Sequence, residues 1–128
     1  MRLLVDTQLL LWAAAEPHKV PAIAAELMNS ETSDLHFSVA SLWEVTIKNG
    51  TNRPGFHVDT RRLRNGLGQA GYRELPIEAE HTLLVLPALH RDPFDRMLVA
   101  QAAAEGMALL TADATLALYR DHAEIRGV

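Results

Sequence analysis

Two continuous apolar runs, Leu3-Leu4-Val5 and Met107–Thr111, constrain this chain more than any other feature. Neither alternates apolar with polar residues, as a strand with one wet face would, so both read as strands buried on two sides. Leu35–Val39 and Tyr72–Ile77 are further strand candidates, and Ala123–Arg126 a terminal edge strand. Between them lie stretches with helical signals: Gln8–Ala15 closed by Pro17, Pro21–Ser30, Ser41–Lys48 before Gly50, and a weaker, Gly-interrupted Asp59–Gln69. Glu78–Leu89, Phe94–Glu105 and a short Ala114–Tyr119 follow, Phe94–Glu105 being the clearest amphipathic helix, stopped by Gly106. Buried strands alternating with helices specify an α/β fold, a mostly parallel sheet with helices on both faces.

At 128 residues the chain has the size of one domain, expected to span 1–128. Hydrophobic residues make up 48% and charged residues 22%, the proportions of a globular protein. No run of about 18 apolar residues suggests a membrane span. Asp6 interrupts the Leu-rich start, which reads as a strand running into a helix rather than a signal peptide. There is no cysteine, so any metal must be held by oxygen or imidazole, and a cytoplasmic location is the expectation. The net charge of −4 counts against a nucleic-acid partner. Arg61, Arg62 and Arg64, with Lys48 and Arg53 upstream, form a local basic cluster that offsets it, and carboxylates around a cation do not repel phosphate.

The acids fall in an informative pattern. Asp6 ends the first strand, Glu44 lies in the first turn of the helix after the second, Asp95 opens the clearest helix, and Asp113 follows the Met107–Thr111 strand. In a parallel sheet, strand ends and the starts of the following helices share one edge, which is where such sheets bind ligands. Each acid also has a local explanation. Ser41-Leu42-Trp43-Glu44 fits a capping box, Asp92 and Asp113 fit helix N-caps, and Asp6 fits a turn. Together, acids crowded at one crevice would raise one another's pKa values, a cost that a bound cation relieves. An all-carboxylate site favours Mg²⁺ or Mn²⁺, and such an ion lowers the pKa of a bound water and stabilises a leaving oxygen, which suits phosphodiester hydrolysis.

The segments LLVDTQLLLW, SVASLWEVTIK, RDPFDRMLVAQAAAEG and ALLTAD resemble PIN-domain toxins of the VapC kind, from Arg2 to about Leu118. That resemblance implies a PIN-like three-layer sandwich and an endoribonuclease that holds Mg²⁺ or Mn²⁺ through carboxylates. It also implies a cognate antitoxin partner and a homodimer. By motif position it makes Asp6, Glu44, Asp95 and Asp113 the metal and catalytic set, with Asp92 a rival to Asp95.

Other residues carry weaker signals. Thr7 and Thr111 flank acids, Arg91 and Arg96 bracket the third acid, and both Trp12 and Trp43 are expected to face the core. His18, His36, His57, His81, His90 and His122 show no paired metal-ligand spacing and are assigned no site. A phosphatase with Asp6 as nucleophile is disfavoured because Gln8 stands where a second acid is wanted, and a serine hydrolase because G-x-S-x-G is absent. The alternative of another class is a catalytically silent PIN-like protein-binding module.

Overall fold

The structure, a computed structural model, describes residues 1–51 and 57–128. Arg53 and most of the turn expected over Thr51–Gly55 lie outside the described residues. The two apolar runs and the three further candidates form strands, in chain order β1 (Arg2–Val5), β2 (Asp34–Ser38), β3 (Arg73–Leu75), β4 (Ala108–Thr111) and β5 (Glu124–Gly127). They make one sheet in the order β3-β2-β1-β4-β5, and every neighbouring pair is parallel. Among the described residues six α-helices connect them: α1 (Thr7–Ala15), α2 (Ala22–Asn29), α3 (Val39–Asn49), α4 (Thr60–Gln69), α5 (Ala79–Leu83) and α6 (Pro93–Glu105). Short 3₁₀ turns occupy Pro17–Lys19 and Ala114–Tyr119, so the expected last helix takes the tighter form.

The central strands β1 and β4 are almost wholly apolar because both of their faces are covered. Leu4 and Leu109 pack with Leu98 and Val99 of α6 and with Leu116 and Tyr119. The next residue on each strand, Val5 and Leu110, points the other way and packs with Leu9, Ala24, Leu63 and Leu67 from α1, α2 and α4. This three-layer arrangement is the architecture expected from the alternation of elements.

Three local expectations need correction. First, α3 begins at Val39 rather than Ser41: the hydroxyl of Ser38 accepts from Ala40 N at 2.9 Å and caps the helix. Ser41 is therefore inside the helix, where its Oγ accepts from the Thr7 hydroxyl at 2.8 Å, and Glu44 moves to the second turn with no capping-box role. Second, the helix expected over Glu78–Leu89 stops at Leu83. Pro87 disfavours helical backbone at Leu86, and the apolar residues beyond α5 do not form a core-facing stripe, since Val85 is 92% exposed. Third, Trp43 faces outward at 59% exposure, edge-on to Phe94, while Trp12 packs against the core. By contrast α6 matches its signals. Asp92 caps it, Pro93 opens it, and Gly106 ends it in the left-handed conformation at φ 66°, which glycine adopts without a Cβ penalty.

Candidate active site

The chain runs outward from β1 to β2 and β3, then returns to the other side of β1 for β4 and β5. The strand order therefore reverses between β1 and β4, and a parallel sheet opens a crevice at the carboxyl ends there. Asp6 follows β1 directly, and Asp113 lies two residues beyond β4. A cleft of about 270 Å³ opens at this point, lined among others by Asp6, Glu44, Lys48, Asp92, Asp95 and Asp113. All four acids singled out by sequence position thus reach one cleft, and the rival Asp92 lies there too.

Their environments differ sharply. Asp6 is buried and held on both oxygens: Oδ1 accepts from Leu9 N at 2.9 Å, and Oδ2 from the Thr111 hydroxyl at 2.5 Å and Ala112 N at 3.1 Å. Burial raises its pKa despite these donors, and Asp113 adds to the rise. Glu44, also buried, meets the Lys48 ammonium at 2.7 Å through Oε2. Its Oε1 is the one buried side-chain oxygen with no hydrogen-bond partner among the described residues. An orphaned carboxylate oxygen is costly without a cation or donor to meet it.

Asp95 carries the largest perturbation. Burial first, then the charges of Asp92, Glu44 and Asp6, push its carboxyl up to about 7, with only His90 opposing. Asp92, not Asp95, is the N-cap of α6, accepting from Phe94 N at 2.8 Å. Capping therefore does not explain Asp95. Asp113 behaves oppositely: desolvation raises it, but Thr115 and His90 outweigh that and hold it below the usual carboxylate range. Its Oδ1 accepts from Thr115 N at 2.9 Å and from the Thr115 hydroxyl at 2.6 Å.

One functional group was missed in the sequence. His90 Nε2 lies 3.2 Å from Asp113 Oδ2 and 3.7 Å from Asp95 Oδ2, and donor atoms of these three residues fall within 4.8 Å of one another. Its partners stand five and 23 residues away, so no spacing between histidines could signal it. The other secondary candidates are placed less centrally. Thr111 braces Asp6, Thr7 bonds Ser41 at the cleft wall, and neither Arg91 nor Arg96 lines the cleft. Of the basic cluster, Arg64 is engaged by Glu74 at 2.6 Å, and Lys48 by Glu44.

A cation fits these residues. The donor set is rich in oxygen, Glu44 Oε1 has no partner, and Asp95 sits among like charges, so a hard divalent ion would meet an unmet demand on each count.

Comparison with known proteins agrees with this architecture. The chain shares its fold with a chain of VapBC-1 from nontypeable Haemophilus influenzae, at TM-score 0.67 and 14% identity, covering 99% of this chain and 98% of that one. VapBC2 from Rickettsia felis, solved with a DNA fragment from its promoter, gives TM-score 0.64 at 12% identity, with 99% and 98% covered. VapBC-5 from Mycobacterium tuberculosis, a member of the VapBC family of toxin–antitoxin systems, gives 0.57 at 16% identity, with 99% and 97% covered. At such identities the likeness is one of fold. No curated protein sequence matches the chain. The family model of the PIN domain, however, matches residues 3–121, nearly the full length, and the chain belongs to the PIN domain family.

Proposed function

We propose that this protein is a Mg²⁺- or Mn²⁺-dependent endoribonuclease and the toxin of a toxin–antitoxin pair. The observation that carries the reading is the convergence of Asp6, Glu44, Asp95 and Asp113 on one cleft where Glu44 Oε1 has no partner. When bound, a divalent cation activates water for attack on phosphorus and neutralises charge on the leaving oxygen. The chain's own residues supply the rest. Asp6 is fixed by three donors and serves as the rigid anchor of the ligand set. Glu44 Oε1 and the Asp95 carboxylate offer lone pairs not spent on capping, while Asp113 closes the cleft from the β4 side. Lys48, against Glu44, offsets negative charge where a phosphate would approach.

The toxin role draws on the fold shared with VapBC chains, and it implies an antitoxin whose tail places a basic side chain near Glu44 or Asp95. A single domain over 1–128, a homodimer and a cytoplasmic location belong to the same reading. No helix among the described residues is long and apolar enough to cross a membrane.

Cleavage should leave a 5′-phosphate and a 3′-hydroxyl, stop with EDTA, and return with Mg²⁺ or Mn²⁺ but not Ca²⁺, whose looser coordination positions water poorly. The imidazole of His90 beside Asp95 and Asp113 supports a second route, attack by the substrate's own 2′-hydroxyl with imidazole as base. An RNA with one 2′-deoxy nucleotide immediately 5′ of the scissile phosphate separates the two. Hydrolysis still cuts it. A 2′,3′-cyclic phosphate product from all-ribose RNA, or cleavage persisting in EDTA, would overturn the hydrolytic reading.

A further inference from the structure

The donor atoms of His90, Asp95 and Asp113 lie within 4.8 Å of one another, a grouping that at first sight makes the imidazole a metal ligand. The other ring nitrogen argues otherwise. A ligating imidazole coordinates through one nitrogen and donates the N–H of the other to a carboxylate, carbonyl or water. Here Nδ1 faces a donor instead: the backbone N–H of Asp92 points at it from 3.1 Å. Nδ1 must therefore present its lone pair, and in a neutral imidazole the single hydrogen then sits on Nε2. Nε2–H in turn has an acceptor, Asp113 Oδ2 at 3.2 Å, with Asp95 Oδ2 beyond at 3.7 Å. Coordination through Nε2 would require moving the hydrogen to Nδ1, where it would meet the Asp92 N–H head-on.

The backbone that sets this geometry is itself pinned. Tyr119, fully buried, accepts from Leu89 N and His90 N at 3.1 Å each through its hydroxyl, and donates to Pro87 O at 2.9 Å. The irregular segment between α5 and α6 is thereby fastened to the core at the residue that contacts Asp113.

We propose that His90 is a positioning residue that orients Asp113 through Nε2–H and stays outside the ligand shell of the cation, the cation reading of the cleft being its premise. The ion is then held by carboxylates alone, and Asp113 Oδ1 and Oδ2 are each aimed by a separate donor, Thr115 and His90.

Imidazole ¹⁵N NMR of the full chain, without cation and then saturated with Mg²⁺, tests this directly. The Nε2–H tautomer of His90 is expected in both states. His90→Leu should weaken Mg²⁺ binding, read by calorimetry, by roughly 10- to 100-fold, the range for partners that orient a metal ligand. His90→Gln, which returns an N–H near the Nε2 position, should recover most of that loss. Without cation, His90→Leu should also move the ¹³C carboxyl resonance of Asp113. A shift to the Nδ1–H tautomer on adding Mg²⁺, unchanged Mg²⁺ affinity in His90→Leu, or an unmoved Asp113 resonance would overturn the proposal. If the unsubstituted chain binds no Mg²⁺ while the tautomer and the Asp113 response are as expected, the cation reading fails and the positioning role stands.

Discussion

The acid cleft is much smaller than an apolar hollow on one face of the sheet. A groove of about 760 Å³, nearly three times its size, runs between α1, α2 and α4 and is lined by Val20, Met28, Leu35, Leu63, Leu67 and Tyr72. Size and apolar character would nominate the groove as the binding site, yet the strongly perturbed carboxyl and the orphaned oxygen both lie in the cleft. The groove lies where α1, α2 and α4 cover one face of the sheet, among residues that also pack in the core. The cleft gathers like charges, and Asp6 and Asp95 are disfavoured as anions there, an arrangement that points to chemistry rather than to packing. The larger hollow is walled by core side chains, and the smaller one by carboxylates.

The largest effect that would sharpen this contrast is Asp95→Asn. Cleavage should be abolished while the metal-free protein unfolds at an unchanged or higher temperature, because one repelling charge is gone; a retained nuclease would break the contrast outright. In the groove, Leu67→Ala should do the reverse. Removing a buried leucine side chain costs about 2–5 kcal/mol, seen as a lowered melting temperature, while cleavage per folded molecule is kept. Asp92→Ala is the intermediate case, since this acid lines the cleft but spends Oδ1 on capping α6. It should lose about 1 kcal/mol of stability, measured by urea unfolding, and lower activity far less than Asp95→Asn.

The smallest effect is a slope. Asp95 ordinarily titrates at 3.8 and is pushed up to about 7 in the fold, so the folded state binds the extra proton between those values. Its stabilising contribution is complete below the ordinary value and is lost as pH rises through about 7. Melting temperatures of the metal-free protein should therefore fall across this window and fall less steeply in Asp95→Asn. Asp6, also raised, keeps part of the slope in the variant, and Asp113, lowered, acts in the opposite sense. Equal slopes in both proteins would remove Asp95 from this account.

How much of this was legible in the sequence follows from which interactions are local. Buried strands announce themselves because both faces need apolar side chains, and the acids at their ends could be placed by the rule that strand ends share an edge. The start of α3 was misplaced because Ser38 and Ser41 are equivalent as caps until the strand before them is seen to end at Ser38. Trp43 is expected in the core because its helix faces it, yet its position on α3 turns it outward to Phe94. His90 was illegible for a different reason. Its orientation depends on Asp113, 23 residues on, and on Tyr119, which grips the segment from across the core. Local pattern carries no trace of either.

The bond from the Thr111 hydroxyl to Asp6 joins residues 105 positions apart, and β1 and β4, which it bridges, pair in parallel at the centre of the sheet. Such a contact returns nothing until the intervening chain has been closed into a loop. During synthesis, the first carboxylate leaves the ribosome long before the strand that braces it, and the acid cleft is incomplete until nearly all of the 128 residues have emerged. The proposed ribonuclease would thus complete its cleft only after most of its own message has been read.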